Sequence, residues 1–288
     1  EFAAAFLNPN HLGKMLANYI VINETHKILM ALRPYQYYAT EALINHVKTS
    51  NDNAYIWHTT GSGKTLTSFK TSQILMDLTE VYKVVFVVDR KDLDYQTMKE
   101  FNSFKDGSVD STNNTTSLVN QFLGKYVDKK GQAKDSDLII TTIQKLNNAI
   151  SGHYRTQLEH LKEERFVFIF DECHRSQFGE THERITTFFS KSQLFGFTGT
   201  PIFAENAAKN ELGKRTTKDL FGNCLHKYVI TDAIRDENVL RFGIEYYSVF
   251  KHNQKPQFDE MVEDINKEEV FNAPQYLEGV ANYIINNH

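Results

Sequence analysis

The chain carries Ile56-Trp57-His58-Thr59-Thr60-Gly61-Ser62-Gly63-Lys64-Thr65 between an apolar run and a helix-forming run. Glycines at 61 and 63 let the backbone turn sharply and approach a ligand, so successive N–H groups can converge on anionic oxygens. A helix opening at this point adds the partial positive charge of its first turn. Lys64 places a full positive charge where the outer phosphates of a nucleoside triphosphate would lie, and the Thr65 hydroxyl suits a magnesium ion. Thr60, Gly61, Ser62 and Gly63 complete the cradle, and ATP with Mg2+ is the ligand set that this chemistry expects. The usual spacing, G-x-x-x-x-G-K-[ST], has glycine at position 58, where this chain has His58. The glycines nearest the lysine are kept.

A second group sits far downstream. The run Phe166-Val167-Phe168-Ile169-Phe170 leads straight into Asp171-Glu172-Cys173-His174. Ligands of open α/β sheets bind at the carboxyl ends of strands, which is where these acids would stand. Asp171 is expected to hold the magnesium, through water, and Glu172 to polarise the attacking water as general base. His174 would lie on the γ-phosphate side. An acidic pair can also be a solvated helix cap, but the phosphate loop upstream favours the catalytic assignment. A zinc site at Cys173 and His174 is disfavoured, since no second ligand pair follows.

The surrounding elements suit such a site. Short runs rich in Val, Ile or Phe at 54–57, 84–88, 138–140, 166–170 and 194–197 read as buried strands. Stretches 65–77, 93–102, 143–150 and 182–189 read as helices between them. This alternation predicts an α/β fold with a parallel sheet covered on both faces. Residues 105–117 and 124–137 are polar and read as surface loops. Residues 1–30 look like a helix-bearing lead-in, 239–250 like a long strand, and 257–288 like a helical segment. The expected organisation is a lead-in at 1–30 following an upstream domain, an ATP-binding domain at 31–235, and a connector at 236–288 into a further domain.

Composition narrows the class. Hydrophobic residues make up 41% and charged residues 24% of 288 residues, enough for a sizeable core. The net charge of -4 means that any nucleic-acid contact is a local patch rather than a global field. Two cysteines, outside any paired spacing, point to a reducing, cytoplasmic location. No apolar run approaches the roughly 20 residues of a membrane span.

Further strings join the two sites. Arg33-Pro34-Tyr35-Gln36 precedes the loop, Val87-Val88-Asp89-Arg90-Lys91 follows the second strand, Thr141-Thr142-Ile143-Gln144 follows the third, and Thr198-Gly199-Thr200-Pro201 the fifth. Together these segments resemble the superfamily-two helicase-like motors. The long string Asp171-Glu172-Cys173-His174-Arg175-Ser176-Gln177-Phe178-Gly179 sharpens the likeness to restriction subunits of type I restriction-modification enzymes. The resemblance implies the first RecA-like lobe of a two-lobe motor that translocates double-stranded DNA, working with modification and specificity subunits. It implies that Arg33 and Gln36 recognise adenine, that Arg90, Thr141, Thr142 and Gln144 touch DNA, and that Thr198 and Thr200 couple hydrolysis to movement. It also implies that these residues alone hydrolyse ATP weakly and do not cut DNA, because the second lobe and a nuclease site are expected elsewhere. Another superfamily-two helicase and a nucleotide-binding interaction module stay open as alternatives.

Overall fold

The computed structural model describes residues 7–88, 99–103, 114–125, 138–171, 173, 178–205, 209–210, 213–214, 216–241 and 274–287. The chain divides into two compact units, residues 1–240 and 241–288. The described part of the second unit is one helix, Pro274–Asn287.

The first unit opens with α1 (Pro9–Asn18), the antiparallel strands β1 (Ile20–Asn23) and β2 (Ile28–Ala31), and α2 (Pro34–Thr49). There follow β3 (Ala54–His58), α3 (Lys64–Met76), β4 (Lys83–Val88), α4 (Thr115–Phe122), β5 (Leu138–Thr142), α5 (Ile143–Ala149), α6 (Gly152–Leu158), β6 (Phe166–Phe170), α7 (Phe178–Phe188) and β7 (Gln193–Thr198). A two-residue hairpin, β8 (Lys209–Asn210) and β9 (Gly213–Lys214), precedes α8 (Thr217–Phe221), β10 (Asn223–Tyr228) and α9 (Ile230–Arg235).

Six strands form one sheet in the order β10-β3-β7-β6-β4-β5, with every neighbouring pair parallel. This is the RecA-like α/β lobe expected from the alternation of elements. Successive side chains of a strand leave opposite faces, and both faces here are filled. Val84, Phe86, Val88, Val167 and Ile169 pack into one core. Val85, Val87, Phe166, Phe168 and Phe170 pack into the other, beside Phe122 and Phe189. That two-sided burial explains why these strands read as unbroken apolar runs. Each buried side chain of this size contributes roughly 1.5–3 kcal/mol.

Some expectations need correction. β10 is half exposed and polar, Asn223-Cys224-Leu225-His226-Lys227-Tyr228, and it exists because it pairs with β3, with a bulge between Cys224 and His226. Thr115 to Ser117, taken for loop, form the first turn of α4, capped where the Asn114 side chain accepts the Ser117 N–H at 2.8 Å. Val239 to Arg241 are not strand. The Val239 N–H instead donates back to the Ala233 carbonyl at 3.2 Å, closing the turn after α9. Positions 242–250 of the expected strand, and most of the expected helix at 93–102, lie outside the described residues, as do positions 126–137 of the second polar loop. No described helix is long and apolar enough to cross a membrane.

Candidate nucleotide-binding site

A cleft of about 700 Å³ brings together Arg33, Gln36, Thr60, Gly61, Ser62, Gly63, Lys64, Thr65 and Asp171. Its phosphate end is the turn from β3 into α3. Gly61 and Gly63 have φ of 78° and 74°, the left-handed region that side chains avoid. Gly63 caps α3, so Lys64 stands at its first position and only 9% of it is exposed. A Cβ at 63 would sit 2.7 Å from Gln36 Nε2. The loop is held from behind by α2. Tyr35 donates its hydroxyl to the Ser62 carbonyl at 2.7 Å, and the Gln36 amide donates to the Ser62 and Gly63 carbonyls at 3.1 and 3.2 Å. Within the loop the Ser62 hydroxyl donates to the Thr59 carbonyl at 2.6 Å.

Gln36 is thus committed on both sides, since its Oε1 also accepts the Arg33 N–H at 2.9 Å, as the third residue of a capped helix does. It lines the cleft as a brace of the loop. Asp171 reaches the same cleft from the end of β6, two strands away from β3, and its N–H donates to the Val87 carbonyl at 3.2 Å. Glu172, His174 and Arg90 lie outside the described residues.

The motif after β7 touches the loop. The Trp57 indole donates to the Gly199 carbonyl at 3.2 Å. A Cβ at 199 would meet the His58 carbonyl and the Thr60 nitrogen, each at 3.3 Å. Thr198 is buried and its hydroxyl accepts the Thr200 N–H at 3.1 Å, while Thr200 is exposed. Of the residues assigned to DNA contact, Thr141 and Thr142 are buried, and Thr142 caps α5 by accepting the Lys145 N–H at 3.3 Å. Only Gln144 of this string is exposed, so Thr141 and Thr142 shape the strand end instead of offering a surface. Cys173 is a buried thiol outside any disulfide, and it packs where a Cβ at Gly196 would be 2.5 Å from its sulfur. Among the described residues no three His, Cys, Asp or Glu side chains gather as a metal cage. The Thr65 hydroxyl and Asp171 carboxylate are hard oxygen donors in one cleft, which fits magnesium shared with phosphates.

His58, the departure from the usual loop, has a tertiary reason. It is fully buried, with its Nε2 2.9 Å from His226 Nδ1 on the neighbouring strand, one donating and the other accepting. Its ring also meets Tyr35 edge-on, with centroids 5.5 Å apart. Burial first, then His226 and Lys64, pushes its pKa down to about 3. Burial likewise lowers that of His226. The unfolded chain protonates these rings below their ordinary value of 6.5, while the folded chain resists. The contribution of His58 is therefore full above that value and lost as pH falls towards 3, by about 1.4 kcal/mol per pH unit, and His226 acts in the same direction. Denaturant unfolding of wild type and His58→Gln between pH 7.5 and 5 checks this. A wild-type slope no steeper than the variant's would refute it.

Sequence reasoning missed Tyr35, Trp57, His226, Tyr228 and Asn238. Tyr35 had a signal, being inside the Arg-Pro-Tyr-Gln string. His226, Tyr228 and Asn238 had none, because their partners lie far away in the chain.

Comparison with known proteins agrees with this geometry. Residues 35–273 match the SWI2/SNF2 ATPase family. The whole chain is 50% identical over 289 aligned residues to the Type I restriction enzyme SsaAORF53P endonuclease subunit of Staphylococcus saprophyticus, and spans 30% of that relative's length. A Mycoplasma pneumoniae protein described as the carboxy-terminal part of a putative type I restriction enzyme, the MpnIIP endonuclease, is 42% identical over 199 residues. That match takes in 66% of this chain and 93% of the relative. The fold is also that of a nuclease-deletion mutant of the Type ISP restriction-modification enzyme LlaGI, solved with a DNA substrate mimic. There the TM-score is 0.54 at 20% identity, over 73% of this chain and 21% of the other. With its phosphate loop and Asp171 on one cleft of a RecA-like sheet, the chain belongs to the SWI2/SNF2 ATPases, in the family of type I restriction enzyme endonuclease subunits.

Proposed function

We propose that this chain is the ATP-binding lobe of a type I restriction motor that translocates double-stranded DNA before cleavage, in complex with modification and specificity subunits. The observation that carries the reading is the single cleft shared by Lys64, Thr65 and Asp171. Residues 31–235 form the lobe, flanked by the segments 1–30 and 236–288. Two cysteines outside any disulfide, one of them exposed, support a reducing cytoplasmic setting.

In this reading the loop N–H groups and the Lys64 ammonium hold the outer phosphates, and the buried setting of Lys64 strengthens that attraction. Thr65 and Asp171 would hold Mg2+, which when bound neutralises charge on the phosphate oxygens. Glu172 would orient the attacking water and accept its proton, with His174 on the γ-phosphate side. Gln144 and Arg90 would contact DNA phosphates without reading sequence. Thr198 and Thr200 would report the state of the loop, a role supported by the Gly199 contacts with His58 and Thr60.

The test is displacement of a third strand from linear duplex by the complete restriction complex, with ATP. Wild type displaces it, and Lys64→Ala in the same complex does not. Undiminished displacement by the variant would favour a nucleotide-binding module without a motor role.

A further inference from the structure

The cleft extends past the phosphate loop, and its lining there includes Met30, Ala31, Arg33 and Glu100. A triphosphate seated on the loop leaves its base to this lining, where Met30 and Ala31 are apolar and Arg33 and Glu100 carry opposite charges. Gln36 cannot serve the base edge without releasing the loop carbonyls or the Arg33 N–H. Arg33, which lines the same cleft, carries donors that a base edge can use.

Arg33 is exposed, and a free arginine would lose much rotamer freedom on binding. It is instead held, because its Nη1 donates to Asn238 Oδ1. Asn238 is itself fixed from several sides. Glu237 adopts a left-handed φ of 57°, which folds the chain back so that the Asn238 N–H donates to the Ala233 carbonyl at 2.8 Å. Its Nδ2 donates to the Tyr228 hydroxyl at 2.7 Å. The Tyr228 ring lies flat on Tyr35, with centroids 3.7 Å apart at 4°, and Tyr35 donates to the Ser62 carbonyl of the loop. The connections run from the phosphate loop through Tyr35, Tyr228 and Asn238 back to Arg33. A left-handed non-glycine residue persists where surrounding structure over-determines it.

We infer that Asn238 is a positioning residue for the nucleotide, holding the Arg33 guanidinium ready for the base. This rests on the nucleotide-site reading above. Because the Arg33–Asn238 bond is exposed, its effect falls on binding more than on stability.

The test measures binding of ATP and of inorganic tripolyphosphate, each with Mg2+, to the 288-residue chain by calorimetry. Asn238→Ala weakens ATP by about 3- to 10-fold and leaves tripolyphosphate unchanged. Arg33→Ala does the same, and the double variant is no weaker than Arg33→Ala alone, because one residue acts through the other. Asn238→Asp, whose carboxylate still accepts from a guanidinium, restores ATP binding. An equal loss for both ligands, additive losses in the double variant, or no loss with Asn238→Ala each overturns the inference. So does a wild type that binds ATP and tripolyphosphate equally. A wild type that binds no tripolyphosphate overturns the nucleotide-site reading, and this inference with it.

Discussion

Lys64→Ala lowers the affinity of the chain for ATP by about two orders of magnitude. Removing a charged hydrogen-bond partner of a bound anion costs about 1.5–3 kcal/mol, which is roughly 10- to 150-fold. Lys64 is at the upper end because burial leaves little water to screen it. Lys70 is the control. It is as buried, on the same helix, but does not line the cleft, so Lys70→Met leaves ATP affinity unchanged. Calorimetry gives the affinities. Lys64→Ala protein that binds ATP like wild type would remove Lys64 from the site.

Gly222→Ala is expected to destabilise the first unit by about 2–4 kcal/mol, read by denaturant unfolding. Gly222 links α8 to β10 with φ 74° and ψ -128°, a conformation that glycine alone adopts readily. An added Cβ would lie 2.8 Å from the Asn53 carbonyl oxygen, a backbone atom. Asn53 has no room to yield, because its side chain accepts the Leu194 N–H at 2.8 Å and so ties the start of β3 to β7. The damage would spread to β10, and with it to Tyr228 and His226 beside the phosphate loop. Gly13→Ala, inside α1 with nothing near the new methyl, makes the contrast: it should stabilise by roughly 0.5–1 kcal/mol. A Gly222→Ala chain as stable as wild type would mean that the α8–β10 turn relaxes freely.

The cleft's core was legible because its parts are local. The glycines at 61 and 63, the lysine that follows them and the helix they open form one contiguous string. Phe166–Phe170 was readable as a strand for the same reason, and it delivers Asp171 directly. The parallel order of the sheet then places the two strings on one edge. β10 was not legible, since an edge strand of Asn, Cys, His and Lys owes its existence to hydrogen bonds with β3 rather than to its own residues. The resemblance implied that Thr141 and Thr142 touch DNA, yet packing around the end of β5 buries them.

Sequence alone determined the chemistry: a backbone that can turn around phosphates, a cation beside it, and an acid at a strand end. Those properties belong to residue type and near-neighbour spacing, where backbone geometry acts directly. Tertiary structure decided how that chemistry is supported: why His58 can replace a glycine, what occupies Gln36, and what holds Arg33. Each answer depends on a partner that the sequence places elsewhere, His226 across the sheet, the loop carbonyls above α2, and Asn238 after α9. Contacts between distant positions depend on how layers pack, and no local pattern encodes that.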